Sequence, residues 1–414
     1  MLTTLPAHPN RIQQELTLQL ALSVALWAIK GYTAPEVEQA VTRARILCQQ
    51  MGETPQLFPV LWRLVVFYFN RGEHRTAHEL AEQMMRLAQS LQDPYLLSYA
   101  HMTLGWTLYL LGELTSARSH LEQTMARYDP QTHPRSTFFT TDPRVECLSC
   151  AAWTLWYLGY PDQALKRSQE ALDVAAGLSH PFGMAYALAW AALFHLLRRD
   201  ELSVREQAEA VITLATEQGF SYWVAFGTVM RGGALAEQGQ VEEGITQMQQ
   251  GLAVFQAMGT QVSRPHRLVL LAKAYGMTGQ VEKGLTILAE GLAMVDKNGE
   301  RYSEAELYRV KGELTLQKFH VPGLTLQVAD PRSLMPDAQG EAEICFLKAI
   351  EVARKQQAKS RELRAATSLA RFWQQGGKRA EDHNLLSKVY NWFTEGFDTK
   401  DLQEAKALIE ELSQ

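Results

Sequence analysis

The sequence predicts an all-α solenoid, and three observations carry that reading. A glycine ending one amphipathic helix is followed five positions later by a small residue inside the next, at Gly72 with Ala77, Gly112 with Ala117 and Gly159 with Ala164. The rhythm continues at Arg199, Gly239 and Gly279, a period of about 40 residues that marks stacked helical hairpins. Around Gly112, residues Leu104, Leu108, Leu111, Leu114, Ala117, Leu121 and Met125 keep to three- and four-residue spacing, one buried helical face. Few stretches alternate with a period of two, and no β-branched run is bounded by hairpin turns, so strands are not expected. One such hairpin cannot bury its apolar face alone, so its neighbours must stack on it.

From the N-terminus, the apolar stretch 20–29 is too short to span a bilayer and follows Gln13, Gln14, Glu15 and Gln19. It reads as the buried face of a first helix rather than a signal peptide. Thr33-Ala34-Pro35-Glu36 places a hydroxyl before a proline and an acid, a helix start with Thr33 as its capping side chain. Asp93-Pro94 and Pro161-Asp162 punctuate later turns in the same way. Stretches 104–125 and 151–172 read as complete hairpins, and 304–318 as the first helix of another. Its partner is delayed by 319–340, rich in Pro, Gly and Asp, which predicts a flexible inserted loop. Helices are expected again over 341–357, 360–377 and 378–393, with a capping helix over 401–412. The domain plan is therefore helical repeats over 1–318, the loop 319–340, and hairpins over 341–414 continuous with the same solenoid.

At 414 residues the chain exceeds an ordinary single core, but a solenoid grows by adding repeats. A net charge of −5 and a pI near 6.2 supply no basic field, so neither nucleic acid nor a membrane is an expected partner. Four cysteines form no disulfide framework, which fits a cytoplasmic setting.

Chemistry-bearing constellations are sparse. Cys147 and Cys150 stand in a C-x-x-C pair without a second pair or a neighbouring ligand histidine; they read as core residues, as do Cys48 and Cys345. His74 and His78 lack the glutamate and third ligand of a zinc site and read as a solvated helix face. His195 reads as a partly buried structural histidine. There is no phosphate loop, nucleophile elbow or Ser-His-Asp set, so no catalytic, cofactor-binding or metal-binding residue is assigned.

Stretches 30–62, 160–172, 304–317, 353–381 and 390–412 resemble the C-terminal tetratricopeptide (TPR) region of bacterial multidomain signalling proteins. In that family a class III adenylate or guanylate cyclase domain precedes an AAA/STAND-type ATPase, and the TPR region follows. The resemblance implies a right-handed superhelix that acts as a non-enzymatic scaffold or sensor, with a STAND-type ATPase or nucleotide cyclase as its partner. Because Met1 opens on sequence resembling the interior of such a protein, it also implies a split gene, a detached subunit, a remnant or a fragment.

In a TPR superhelix the first helix of each hairpin lines the concave surface. Mapping that pattern onto the glycine marks places Trp62, Phe69, Tyr99, Trp106, Tyr109, Trp153, Trp156 and Tyr157 inward, as anchors for a protein segment or ligand. Trp106 and Trp153 are expected to be the most open to the groove. Lys273, with Arg231, Arg264 and Arg267, would add a positive patch for an acidic peptide.

Overall fold

The computed structural model describes residues 9–51, 55–128, 141–319, 335–376 and 379–413, and these form nineteen α-helices without a strand. Helix α1 (Pro9–Lys30) pairs with α2 (Pro35–Met51), α3 (Leu57–Arg71) with α4 (His74–Leu91), and α5 (Pro94–Leu110) with α6 (Leu114–Arg127). The next hairpins are α7 (Pro143–Leu158) with α8 (Pro161–Leu178), α9 (Pro181–Arg198) with α10 (Glu201–Gln218), and α11 (Ser221–Glu237) with α12 (Val241–Ala257). They continue as α13 (Arg264–Met277) with α14 (Val281–Asn298), α15 (Glu304–Phe319) with α16 (Met335–Lys355), and α17 (Lys359–Gly376) with α18 (Arg379–Tyr390). Helix α19 (Lys400–Leu412) ends the stack.

Local chemistry explains most of these boundaries. The Asp93 carboxylate accepts from the Tyr95 and Leu96 amides ahead of α5, and Asp142 accepts from the Arg144 amide ahead of α7, each with proline at the first helical position. Gly72, Gly159 and Gly219 close helices in the left-handed conformation, and Arg199 adopts the same conformation where the rhythm lacks a glycine. Two sequence expectations are corrected. Thr33 does not cap α2: its hydroxyl donates to the Met258 carbonyl, far away in the chain. Helix α16 begins at Met335, inside the stretch assigned to the inserted loop, and 320–334 lies outside the described residues.

The helices form two layers. From α3 onward each odd-numbered helix packs on the next odd-numbered one, and each even-numbered helix covers its partner from outside. The composition follows: α7 is buried along nearly its whole circumference, whereas α8 buries Pro161, Ala164, Ser168, Ala171 and Ala175, a single stripe at three- and four-residue spacing.

The inner layer also winds back onto itself. The Asn70 carbonyl at the end of α3 accepts from the Gln261 amide at 2.7 Å, and the Leu110 carbonyl at the end of α5 accepts from the Arg301 amide at 2.7 Å. The Trp156 carbonyl of α7 accepts from the Ser360 hydroxyl, and the Leu197 carbonyl of α9 from the Arg364 guanidinium. Turns within the early hairpins thus sit on turns between the later ones. His74, expected in solvent, is buried there: its Nε2 lies 3.0 Å from the Glu300 carboxylate, which also accepts from the Ser263 amide. The partner that buries it is more than two hundred residues away in sequence.

Gly159 and Gly239 separate the two demands this packing makes. Both have φ near +90°, but a Cβ on Gly159 would lie 2.6 Å from the Trp392 ring and 2.8 Å from Lys359 Cβ, while one on Gly239 would meet nothing within 4 Å. Gly239→Ala should therefore cost only the backbone term of about 1 kcal/mol. Gly159→Ala should cost about 2 kcal/mol more through overpacking. Equal losses in parallel urea denaturation curves would contradict the contact between superhelical turns.

Candidate functional site: an aromatic chamber

Five inner helices turn one face each toward a common space. Helix α3 contributes Trp62, Val66, Phe69 and Asn70; α5 contributes Trp106, Tyr109 and Leu110; α7 contributes Glu146, Cys150 and Trp153. Helix α9 adds Phe182, Tyr186, Trp190 and Leu193, and α11 adds Tyr222 and Trp223. On α3, α7 and α9 the main positions recur at three, four and seven residues, so helical periodicity aligns them on one face. Four residues outside the helices complete the wall: Tyr32, Thr141, Ser263 and Tyr302. With its open mouth included, the chamber encloses about 780 Å³ between lining atoms.

The rings interlock. Trp153 and Trp190 stand 4.1 Å apart with the Trp153 indole donating to the Trp190 carbonyl, Tyr186 packs edge-on to Trp190 and Trp223, and Tyr109 lies 4.9 Å from Tyr302. Tyr32, Phe69, Trp106, Phe182, Tyr186 and Trp190 are half-buried and form the rim, while Trp62, Tyr109, Glu146, Trp153 and Trp223 form a buried floor. The Nε1 groups of Trp106, Trp190 and Trp223 and the Oε2 of Glu146 have no hydrogen-bond partner.

Glu146 is the one charged residue among the described residues of this wall, and it is only 3% exposed. Burial pushes its carboxyl well above the ordinary glutamate range; the Thr141 hydroxyl lowers it, and the charge of Asp142 raises it further. Burial also raises the Cys150 thiol and the Tyr109, Tyr186 and Tyr302 phenols. Among the described residues no group of three or more His, Cys, Asp or Glu side chains is placed to hold a metal ion, and no helix is long and apolar enough to cross a membrane.

The anchors expected from sequence fall into three groups. Trp62, Phe69, Trp106, Tyr109 and Trp153 meet in the chamber. Trp153 differs from expectation in being 5% exposed, because Trp190 and Tyr109 cover it. Tyr99, Trp156 and Tyr157 do not reach the chamber wall and are buried in the core: Tyr99 packs on Tyr95, Trp156 on Phe194, and the Tyr157 hydroxyl accepts from Arg361. The basic patch is not assembled. Lys273 pairs with Glu237 in a separate charged cleft, Arg231 donates to Gln247, Arg264 pairs with Glu290, and Arg267 is buried over the Phe255 ring. Cys48, Cys147, Cys150 and Cys345 are buried free thiols, and His195 is partly buried beside Asp200.

Sequence reading missed Tyr32, Glu146, Tyr186, Trp190, Tyr222, Trp223 and Tyr302. A signal for one of them exists. Glu146 stands thirteen residues before Gly159, the register at which Tyr99 precedes Gly112 and Tyr186 precedes Arg199, so an acid interrupts an aromatic stripe.

A raised carboxyl has a defined effect on stability. The folded state holds the Glu146 proton more tightly than the unfolded state, so its contribution is complete below about pH 4.5 and is lost as pH rises through the folded value. Glu146→Gln should therefore match the parent melting temperature near pH 4.5 and exceed it increasingly toward pH 8. A thermal-melt series in which the gap is constant or shrinks with pH would show that the carboxyl is not held neutral by burial.

No protein-family model matches the chain, and no curated protein matches it in sequence. Solved structures do match. A Rap protein complexed with Competence and Sporulation Factor superposes with a TM-score of 0.54 at 12% identity, over 91% of this chain and 99% of that one. The Cut9 and Hcn1 hetero-tetramer of the APC/C gives 0.53 at 12% identity, over 86% of this chain and 55% of that one. A STAND protein with a tetratricopeptide repeat sensor from Pyrococcus horikoshii gives 0.42 at 12% identity, over 92% and 55%. The first two likenesses show the fold: this chain is a TPR-like helical solenoid.

Proposed function

We propose that the chain is a non-catalytic cytoplasmic sensor or scaffold module that binds a ligand or protein segment in its aromatic chamber and regulates a signalling ATPase or nucleotide cyclase. The observation that carries the binding reading is the composition of the wall. Trp62, Trp106 and Tyr109 belong to early hairpins, whereas Ser263 and Tyr302 belong to the later turns that sit on them. An occupant touching both sets favours the closed superhelix over any opened form, which is the differential contact that signalling requires. Rigid aromatic rings supply buried area with few rotors to freeze, and the unpartnered indole N–H groups supply directional contacts. The Rap protein that shares the fold is complexed with Competence and Sporulation Factor, which supports a ligand-binding role for a solenoid of this shape. The ATPase or cyclase as regulated partner rests on the sequence resemblance.

Trp106 offers the cleanest test, since it is half-buried at the rim and its removal leaves the floor intact. The full chain, purified from its host, should retain a ligand or partner visible by native mass spectrometry. Trp106→Ala, folded by circular dichroism, should weaken retention at least tenfold, about the effect of one aromatic hot spot. Unchanged retention would place binding elsewhere. Capture of an ATPase or cyclase lost in the variant would support the regulatory role.

A further inference from the structure

We infer that the chamber recognises an alkylammonium group, seated against the Glu146 carboxylate and surrounded by the rings of Trp153, Tyr186 and Trp190. The inference rests on the chamber being a binding site and names the chemistry of its occupant. Three observations lead to it. Glu146 places an unpartnered carboxylate oxygen in the wall of a mostly aromatic cavity. No lysine, arginine or histidine is among the described lining residues, so nothing in the wall supplies the opposite charge. The wall is rich in tryptophan and tyrosine, whose π-systems attract organic cations, an attraction that grows when the site is dry. In the same register the neighbouring repeats carry the aromatic residues Tyr99 and Tyr186, so the acid at 146 departs from the pattern of the stripe.

The charge balance is also consistent. In the empty chamber burial favours the protonated carboxyl over a bare charge. As the cation enters, Glu146 releases its proton to solvent, and the occupied chamber holds one carboxylate and one ammonium. Glu146 lies in the first turn of α7, where the helix dipole favours the ionised form. The other titratable groups coupled to it are Asp142, ahead of α7, Cys147 and Cys150 on α7, Tyr99 on α5, Tyr186 on α9, and Tyr32. All of these are neutral or negative, so none competes as an internal cation. Affinity should accordingly rise with pH.

Calorimetric titration of the full chain tests this with two matched pairs: choline against 3,3-dimethylbutan-1-ol, and Nα-acetyl-lysine amide against Nα-acetyl-norleucine amide. The expected result is that at least one cation binds ten or more times tighter than its neutral counterpart at pH 8. That preference should shrink at pH 6 and vanish in Glu146→Gln, while the neutral compound binds both proteins alike. A preference confined to choline identifies a free organic ammonium, and one confined to the lysine amide identifies a lysine side chain. Neutral compounds binding as tightly as the cations would overturn the inference and leave the chamber as a binding site. A cation preference that persists in Glu146→Gln would overturn it as well. If none of the four compounds binds, the inference fails, and the binding reading is then decided by the Trp106→Ala retention measurement alone.

Discussion

Helix ends leave carbonyl groups without intrahelical partners, and in this chain the inner helices satisfy them through contact with hairpins far away in sequence. The ends of α3 and α5 receive backbone amides from the turns before α13 and α15, and the ends of α7 and α9 receive side chains from the start of α17. The relation runs in the other direction at α8, whose first amides, at Asp162 and Gln163, donate to the Glu395 carboxylate beyond α18. An open solenoid would leave these groups to water. Here they fix the pitch of the superhelix, and the pitch brings Ser263 and Tyr302 against the aromatic faces of the early helices.

A buried charge cluster sets the same register at the C-terminal side. Burial alone would raise the Glu306 carboxyl, but Arg309, Arg361 and Arg364 around it hold it well below the usual carboxylate range. Arg361 also reaches the Tyr157 hydroxyl, and Arg364 reaches Asp401, which Arg199 contacts from the early hairpins. Buried ion pairs add little net stability compared with apolar packing. Their geometric demands are strict, however, and a shift of one hairpin would leave Glu306 without its guanidinium partners. The cluster therefore acts against mispaired turns more than it adds to the free energy of folding.

What the sequence made legible was local. Capping aspartates, left-handed glycines and the period of about 40 residues need only neighbours in the chain, and they located nearly every hairpin. His74 and Thr33 were misplaced because each is engaged by a residue from another superhelical turn, which no spacing rule encodes, and Arg267 because it is buried over the Phe255 ring of the preceding hairpin. The chamber was half legible. The aromatic stripes of α3, α5 and α7 stand out, but the same stripe continues onto α9 and α11, where alanine-rich surroundings resemble ordinary core. Glu146 escaped notice for a different reason: an acid in a first helical turn normally complements the dipole and faces water. The packing of α5 and α9 on either side of α7 shows that this one does not, and the interrupted aromatic register is the sequence trace of that burial.

Because one wall of the chamber belongs to the early hairpins and another to the turns that cap them, occupancy of the proposed site and closure would be thermodynamically linked. Any ligand that binds more tightly to the closed form stabilises the Asn70, Leu110 and Glu300 contacts, and whatever strengthens those contacts must tighten binding by the same factor. The outer helices carry the surface that a partner can reach, yet they are held to the inner layer along single stripes such as that of α8. A change of pitch in the inner layer must therefore move that outer surface. Regulation by such a module requires neither a catalytic residue nor a hinge, only an occupant that distinguishes two spacings of the same stacked turns.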